Sequence, residues 1–210
     1  MTDRFQYFFN DYVANIFAPP FLVQKIVTNL KCKLYKTGEL IVQRGDFVSS
    51  LHFLYFGVGH LYGFFEYNDE QLRTKVVTLK KGSWFGDYQI MLNTRSTWDL
   101  EAGDDSEFNG RKRPKAMPSN HVMVYSITAE KLKKILDKYP TFRSHVVTRS
   151  VLRRSHYRKM MNENINILLL NQKQNEQESV ARAHGIKNDF IESESDSELQ
   201  KPLDLNSMSL

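Results

Sequence analysis

Residues 34–46 read Leu34-Tyr35-Lys36-Thr37-Gly38-Glu39-Leu40-Ile41-Val42-Gln43-Arg44-Gly45-Asp46. Two short β-prone runs, Leu34-Tyr35 and Leu40-Ile41-Val42, are divided by Gly38 and closed by Gly45-Asp46. Glycine enters left-handed turns without steric cost, and aliphatic and aromatic residues suit a pleated, half-buried surface. The rhythm continues downstream in Leu51-His52-Phe53-Leu54-Tyr55-Phe56, His60-Leu61-Tyr62 and Lys75-Val76-Val77-Thr78-Leu79. Gly57, Gly59, Asn68-Asp69 and Gly82 punctuate these runs, and a last strand-like run spans His121 to Ile127. Short strands with turn signals at this spacing predict an all-β roll or barrel.

Helical patterns flank it. Phe5, Phe8, Phe9, Tyr12, Val13, Ile16 and Phe17 recur at spacings of three and four, which puts them on one helical face. Ala18-Pro19-Pro20 ends that helix, and a second is predicted from Phe21 to Leu30 with Leu22, Ile26 and Leu30 on one side. After the last strand, Thr128 is an N-cap candidate ahead of Leu132, Ile135 and Leu136. Tyr139-Pro140 breaks that helix. Another is predicted from about Thr141 to Leu170, striped by Phe142, Val146, Tyr157, Met161, Ile165 and Leu168. Its middle is basic, with Arg149, Arg153, Arg154, Arg158 and Lys159. Between Ala102 and Asn120 the chain turns polar, and Arg111-Lys112-Arg113-Pro114-Lys115 within it is read as a solvated loop rather than an import or phosphate-binding patch. From about Gly185 the sequence is rich in Ser, Glu and Asp and is expected to be disordered. The predicted organisation is therefore N-terminal helices over 1–30, a roll with C-terminal helices over 31–170 (with a polar loop at 103–120), and a polar, largely disordered tail over 171–210.

Composition narrows the class. The 210 residues contain 14 Phe and 10 Tyr, and 41% are hydrophobic, enough for one domain with a real core. Cys32 is the lone cysteine, so an internal disulfide and a zinc cluster are excluded and a reducing, cytoplasmic setting is expected. No stretch approaches the roughly 20 apolar residues of a membrane helix; Ile167-Leu168-Leu169-Leu170 is far too short. The start, with acids among its aromatics, does not read as a signal peptide. The net charge of +5 is modest.

The order helix, helix, roll, helix, long helix, together with four motifs, resembles the cyclic nucleotide-binding domain family. Residues 34–46 resemble that family's opening pattern G-E-x-I-x-x-x-G-D. Phe53-Leu54-Tyr55-Phe56-Gly57 with His60-Leu61-Tyr62 is similar to its next strand pair. Lys81-Gly82-Ser83-Trp84-Phe85-Gly86-Asp87-Tyr88-Gln89 is similar to the G-x-x-F-G-E that opens the phosphate-binding cassette. Val124-Tyr125-Ser126-Ile127, Leu132, Ile135, Leu136 and Tyr139-Pro140 match its last strand and following helix. The resemblance covers roughly residues 5–165 and implies an α+β fold: an antiparallel, jelly-roll-like β-roll flanked by N-terminal helices and a C-terminal helical lid. The segment Arg149-Ser150-Val151-Leu152-Arg153-Arg154-Ser155-His156-Tyr157-Arg158 is most similar to the cytoplasmic end of voltage-gated cation channels carrying such a domain.

The resemblance also implies a ligand, cAMP or cGMP, and a place for it. A cyclic phosphate sits at a short helix's N-terminus, an arginine pairs with it, and an acid after Phe-Gly takes the ribose hydroxyl. The candidate binding residues are Gly86, Asp87, Tyr88, Arg95, Ser96 and Thr97. Asp87 stands where the family has the longer Glu, and Tyr88 where a small or aliphatic residue is usual. Counting forward from Gly86 puts Arg95 in the phosphate place; counting back from Ala102 puts Ser96 there. A strand displaced by one residue turns its side chains to the opposite face, so the two counts exclude each other. Trp98 and Glu101 replace small and basic residues. The expectation is a pocket plugged by Tyr88 or Trp98 that takes neither nucleotide.

Enzyme readings lack support. The six histidines are scattered, with His52, His60 and His121 in strand-like runs, and no catalytic motif or metal-ligand spacing is present. The expected role is regulatory, through a protein partner or channel subunit, with a ligand-free scaffold as the alternative. No cofactor, metal or nucleic-acid partner is expected; oligomeric state is left open. A catabolite-activator-like transcription factor is not expected, because the residues after Leu170 are few, polar and acidic. A kinase regulatory subunit would ordinarily carry two rolls and an inhibitory segment, where one roll is found.

Overall fold

The computed structural model describes residues 19–103, 118 and 120–183. The expected first helix, nearly all of the polar loop with its basic cluster, and the tail beyond residue 183 lie outside the described residues. Two compact units divide the chain, Met1–Ile167 and Leu168–Leu210.

In the first unit, α1 (Pro20–Thr28) precedes strands β1 (Lys31–Lys36), β2 (Leu40–Val42), β3 (Ser50–Phe56), β4 (Gly59–Tyr67), β5 (Glu70–Leu79) and β6 (Trp84–Phe85). Helix α2 (Asp87–Leu92), β7 (Asp99–Ala102), β8 (His121–Thr128) and α3 (Ala129–Leu136) follow, and then α4 (Pro140–Ala183), whose residues from Leu168 on belong to the second unit. The strands form two four-stranded antiparallel sheets, ordered β1-β8-β3-β6 and β2-β7-β4-β5. This is the α+β roll with flanking helices expected from the sequence.

Local chemistry explains the boundaries. β4 and β5 pair from Gly59↔Leu79 to Tyr67↔Glu70, and the turn between them has Asn68 and Asp69 at φ 50 and 62°. Two central residues with positive φ match the twist of a two-residue hairpin, and Asn and Asp tolerate that region. The strand therefore runs well past His60–Tyr62, carrying Phe64, Phe65 and Tyr67. Thr128 caps α3 by accepting the Lys131 N–H at 3.5 Å, and Pro20 and Pro140 open α1 and α4, where a missing N–H is harmless. α4 continues to Ala183, past the end expected near Leu170, so residues 171–183 are helical where a largely disordered tail was expected. Residues 171–180 are mostly Gln, Glu, Lys and Asn with no Pro or Gly, so intrinsic propensity carries the helix without a buried face.

Leu54, Leu61, Leu100, Val124 and Ile127 are fully buried at the centre of the roll. Leu22, Ile26, Leu132, Leu136, Phe142 and Val146, from α1, α3 and the start of α4, complete the same core. Among the described residues, no helix is long and apolar enough to cross a membrane.

Candidate functional site

The cassette begins where β6 pairs with β3, His52 opposite Phe85 and Phe53 opposite Trp84. Gly86 follows at φ +105°, and a Cβ there would meet the Ser50 carbonyl at 2.7 Å and Val48 Cγ1 at 2.9 Å. Only glycine fits both that backbone and that approach. The chain then enters α2 directly, the Ile90 N–H donating to the Gly86 carbonyl at 3.1 Å.

Asp87, the first residue of α2, is 0% exposed. Its Oδ2 lies 3.2 Å from Arg153 Nη1 and accepts from the Ser150 hydroxyl at 3.2 Å. Both partners come from α4. The single Ser150 proton is shared with the Val146 carbonyl at 2.7 Å. Oδ1 has no well-formed hydrogen bond, although the N–H groups at the start of α2 favour its charge. Burial pushes the Asp87 carboxyl above its ordinary range, more strongly than Arg153, those N–H groups and Ser150 draw it down. The Arg153 guanidinium also lies 3.8 Å over the Trp84 ring, and its side chain keeps 16% exposure.

Tyr88 is buried with its hydroxyl 3.4 Å from Thr97 Oγ1. Burial raises the phenol's pKa, against the opposing contacts of Thr97 and Trp98. Gln89, next along, is 1% exposed with neither side-chain amide atom hydrogen-bonded.

Beyond α2 the chain runs antiparallel to the turn after β2. Phe47 bridges Arg95, the Ser96 N–H donates to the Asp46 carbonyl at 2.9 Å, and the Gly45 N–H donates to the Ser96 carbonyl at 2.8 Å. In this register Ser96 faces inward, 2% exposed, its hydroxyl donating to the Trp98 carbonyl at 2.7 Å. Arg95 faces outward: Nη1 donates to the Gly45 carbonyl at 2.7 Å, and the guanidinium stacks 4.2 Å over the exposed Phe47 ring. Thr97 is exposed.

Trp98 is 3% exposed and packs edge-on against Tyr157 of α4, ring centroids 6.5 Å apart. A Cβ on Gly63 would meet Met161 Sδ at 2.8 Å and Trp98 Cζ3 at 2.9 Å, so these side chains pack hard against β4. Further along α4, Asn164 Nδ2 donates to the Lys75 and Val76 carbonyls at 2.9 and 3.2 Å. α4 is thus held to the roll at three successive places: the Asp87 carboxylate, the Trp98 ring and the β5 main chain.

Of the six candidates, the structure gathers Gly86, Asp87, Tyr88 and Ser96 in the interior and brings Thr97 to the Tyr88 hydroxyl, while Arg95 lies on the surface. Sequence reasoning did not single out Ser150, Arg153 or Asn164. A signal for the first two existed: with Phe142, Val146 and Tyr157 they share the three-and-four spacing of one helix face, which marks them as inward polar residues needing a partner.

No protein-family model matches the chain, and no curated protein matches its sequence. Solved structures do. cAMP-bound PfPKA-R superposes with a TM-score of 0.53 at 19% identity, over 77% of this chain and 45% of that one. The regulatory domain of Toxoplasma gondii PKA with cAMP gives 0.53 at 12%, over 74% and 50%. The regulatory subunit of a cAMP-independent protein kinase A from Trypanosoma cruzi, bound to guanosine, gives 0.51 at 16%, over 80% and 48%. These are kinase regulatory proteins rather than channels, and the chain spans about half the length of each. At such identities the likeness speaks for architecture: this chain has the cyclic nucleotide-binding domain fold.

Proposed function

We propose that the chain is a non-enzymatic regulatory domain of cyclic nucleotide-binding type whose cassette is occupied by its own side chains and takes neither cAMP nor cGMP. The observation that carries this is the double reassignment of the cassette's charges. Asp87, in the place of the ribose-binding acid, is engaged by Arg153 and Ser150 of α4, and Arg95 is turned out onto Phe47 and Gly45. A phosphate entering there would meet the Ser96 hydroxyl in place of a guanidinium, and Trp98 with Tyr157 fills space beside it. α4 is then held down permanently, and the domain works as a docking module for a protein partner in the cytoplasm. The similarity of Arg149–Arg158 to channel cytoplasmic ends makes a channel subunit the partner we favour.

The test is calorimetric titration and thermal shift with millimolar cAMP, cGMP and guanosine, the last because one similar structure is cAMP-independent and bound to it. No saturable heat and no shift are expected. A ligand at 100 times its dissociation constant adds about 2.7 kcal/mol, a rise of several degrees for a domain of this size. A saturable rise of that order with a cyclic nucleotide, abolished in Arg95→Ala, refutes the proposal.

A further inference from the structure

The side of α4 turned away from the roll carries a pattern that the cassette does not use. Residues 140–162 contain Arg143, Arg149, Arg153, Arg154, Arg158 and Lys159 and no Asp or Glu. Arg153 is engaged with Asp87, and Arg143 with Asp137 at 2.8 Å. The inner face is marked by the buried residues Phe142, Val146, Ser150 and Tyr157. Opposite it, Thr148, Leu152, Ser155 and Lys159 recur at helical spacing, and all are exposed.

At the centre of this outer strip Leu152 is 58% and Val151 46% exposed. Two turns further on, about 10 Å along the axis, stand exposed Arg158 and Lys159. Lys159 reaches Glu163 only at 3.8 Å with both side chains well exposed, a contact that is readily exchanged. The strip thus offers an aliphatic pair and a cationic pair two turns apart on one side of a helix anchored along its other side.

We propose that this strip docks an acidic amphipathic segment of a partner protein, an apolar side chain against Val151 and Leu152 and carboxylates against Arg158 and Lys159. The inference rests on the docking-module reading above and supplies the chemistry of its partner. Charge complementarity selects the partner: a surface of one sign attracts and orients the opposite one. A lipid surface fits less well, because a membrane-lying helix needs its broad apolar face free, and here Phe142, Val146 and Tyr157 face the roll. A nucleic-acid backbone gains nothing from an aliphatic pair at the centre.

The probe is a fluorescently labelled helical peptide of glutamates with leucines at seven-residue spacing, titrated into the full chain by anisotropy. Parallel arms use the same peptide with lysine for glutamate, vesicles of phosphatidylserine and phosphatidylcholine, and a single-stranded oligonucleotide. The acidic peptide is expected to bind, more weakly as salt rises, and Leu152→Glu with Arg158→Glu to lower its affinity at least about tenfold. Both positions are exposed, so an unchanged melting curve confirms the fold of the variant. No binding of the acidic peptide at low salt, binding unaffected by the double substitution, or tighter binding to vesicles or oligonucleotide overturns the inference. The nucleotide titration stays independent: cAMP binding with intact peptide binding refutes only the filled cassette.

Discussion

Asp87 and Arg153 form one ion pair, yet their environments predict unequal consequences when each is removed. Arg153→Met leaves the carboxylate, at 0% exposure, without the guanidinium that faces it. Stripping the partner from a buried charge costs about 3–5 kcal/mol, unless the acid takes up a proton and pays part of the loss that way. Asp87→Asn is milder. The guanidinium keeps 16% exposure and its place over Trp84, and an asparagine amide can still accept from Ser150, so the loss should be about 1 kcal/mol. Urea unfolding followed by the fluorescence of Trp84 and Trp98 measures both. For a domain of this size the Arg153→Met loss corresponds to a melting drop of roughly 6–20 °C. The double variant should recover most of it, since no buried charge remains. The pH dependence supplies a second reading. Burial raises the folded-state carboxyl of Asp87, so its contribution to stability is fully present below the ordinary aspartate range and lost as pH rises through the folded value. Arg153→Met raises that value further, and the gap between variant and parent should therefore narrow as pH falls. Other groups cancel in this difference. An Asp87→Asn loss equal to or larger than that of Arg153→Met, or a gap that does not narrow in acid, refutes the argument.

Further perturbations follow from other buried groups. His52 is lowered from 6.5 to about 4, chiefly by burial and secondarily by Lys33. Its share of stability is complete above pH 6.5 and lost as pH falls towards 4, roughly 3 kcal/mol in all; His52→Leu should flatten that slope in pH-dependent urea melts, and an unchanged slope counts against it. Gln89 buries an unpartnered amide, so Gln89→Met should raise the urea midpoint by the equivalent of about 1–3 kcal/mol, and a loss of stability would show that the amide has a partner. Trp98→Ala should cost about 3–5 kcal/mol, as for a core aromatic; a loss below 1 kcal/mol would place the ring outside the packed interior.

Much of the architecture is written in local chemistry that a linear reading reaches. Asn68-Asp69 can make its tight turn wherever it occurs, Thr128 caps whatever helix follows it, and Pro20 and Pro140 open helices because their rings forbid an interior position. Apolar periodicity placed the helix faces and the strand runs for the same reason: it is a property of neighbours in the chain. The cassette is different. Whether residue 95 or 96 faces inward depends on a one-residue register, and nothing within 86–102 determines it. The bridge to Phe47 and the hydrogen bonds to Gly45 and Asp46, about half the described roll away in sequence, fix Ser96 inside and Arg95 outside. The pairing of Asp87 was likewise beyond a linear reading: helical spacing marks Arg153 as inward-facing, but nothing along the chain says which group it meets. Only the packing of Phe142, Val146 and Tyr157 against the roll rotates that helix so that this guanidinium, rather than its neighbours, meets a carboxylate that water cannot reach. A charge removed from solvent must find its counter-charge in space, and spatial proximity across the fold is decided by packing rather than by position along the chain.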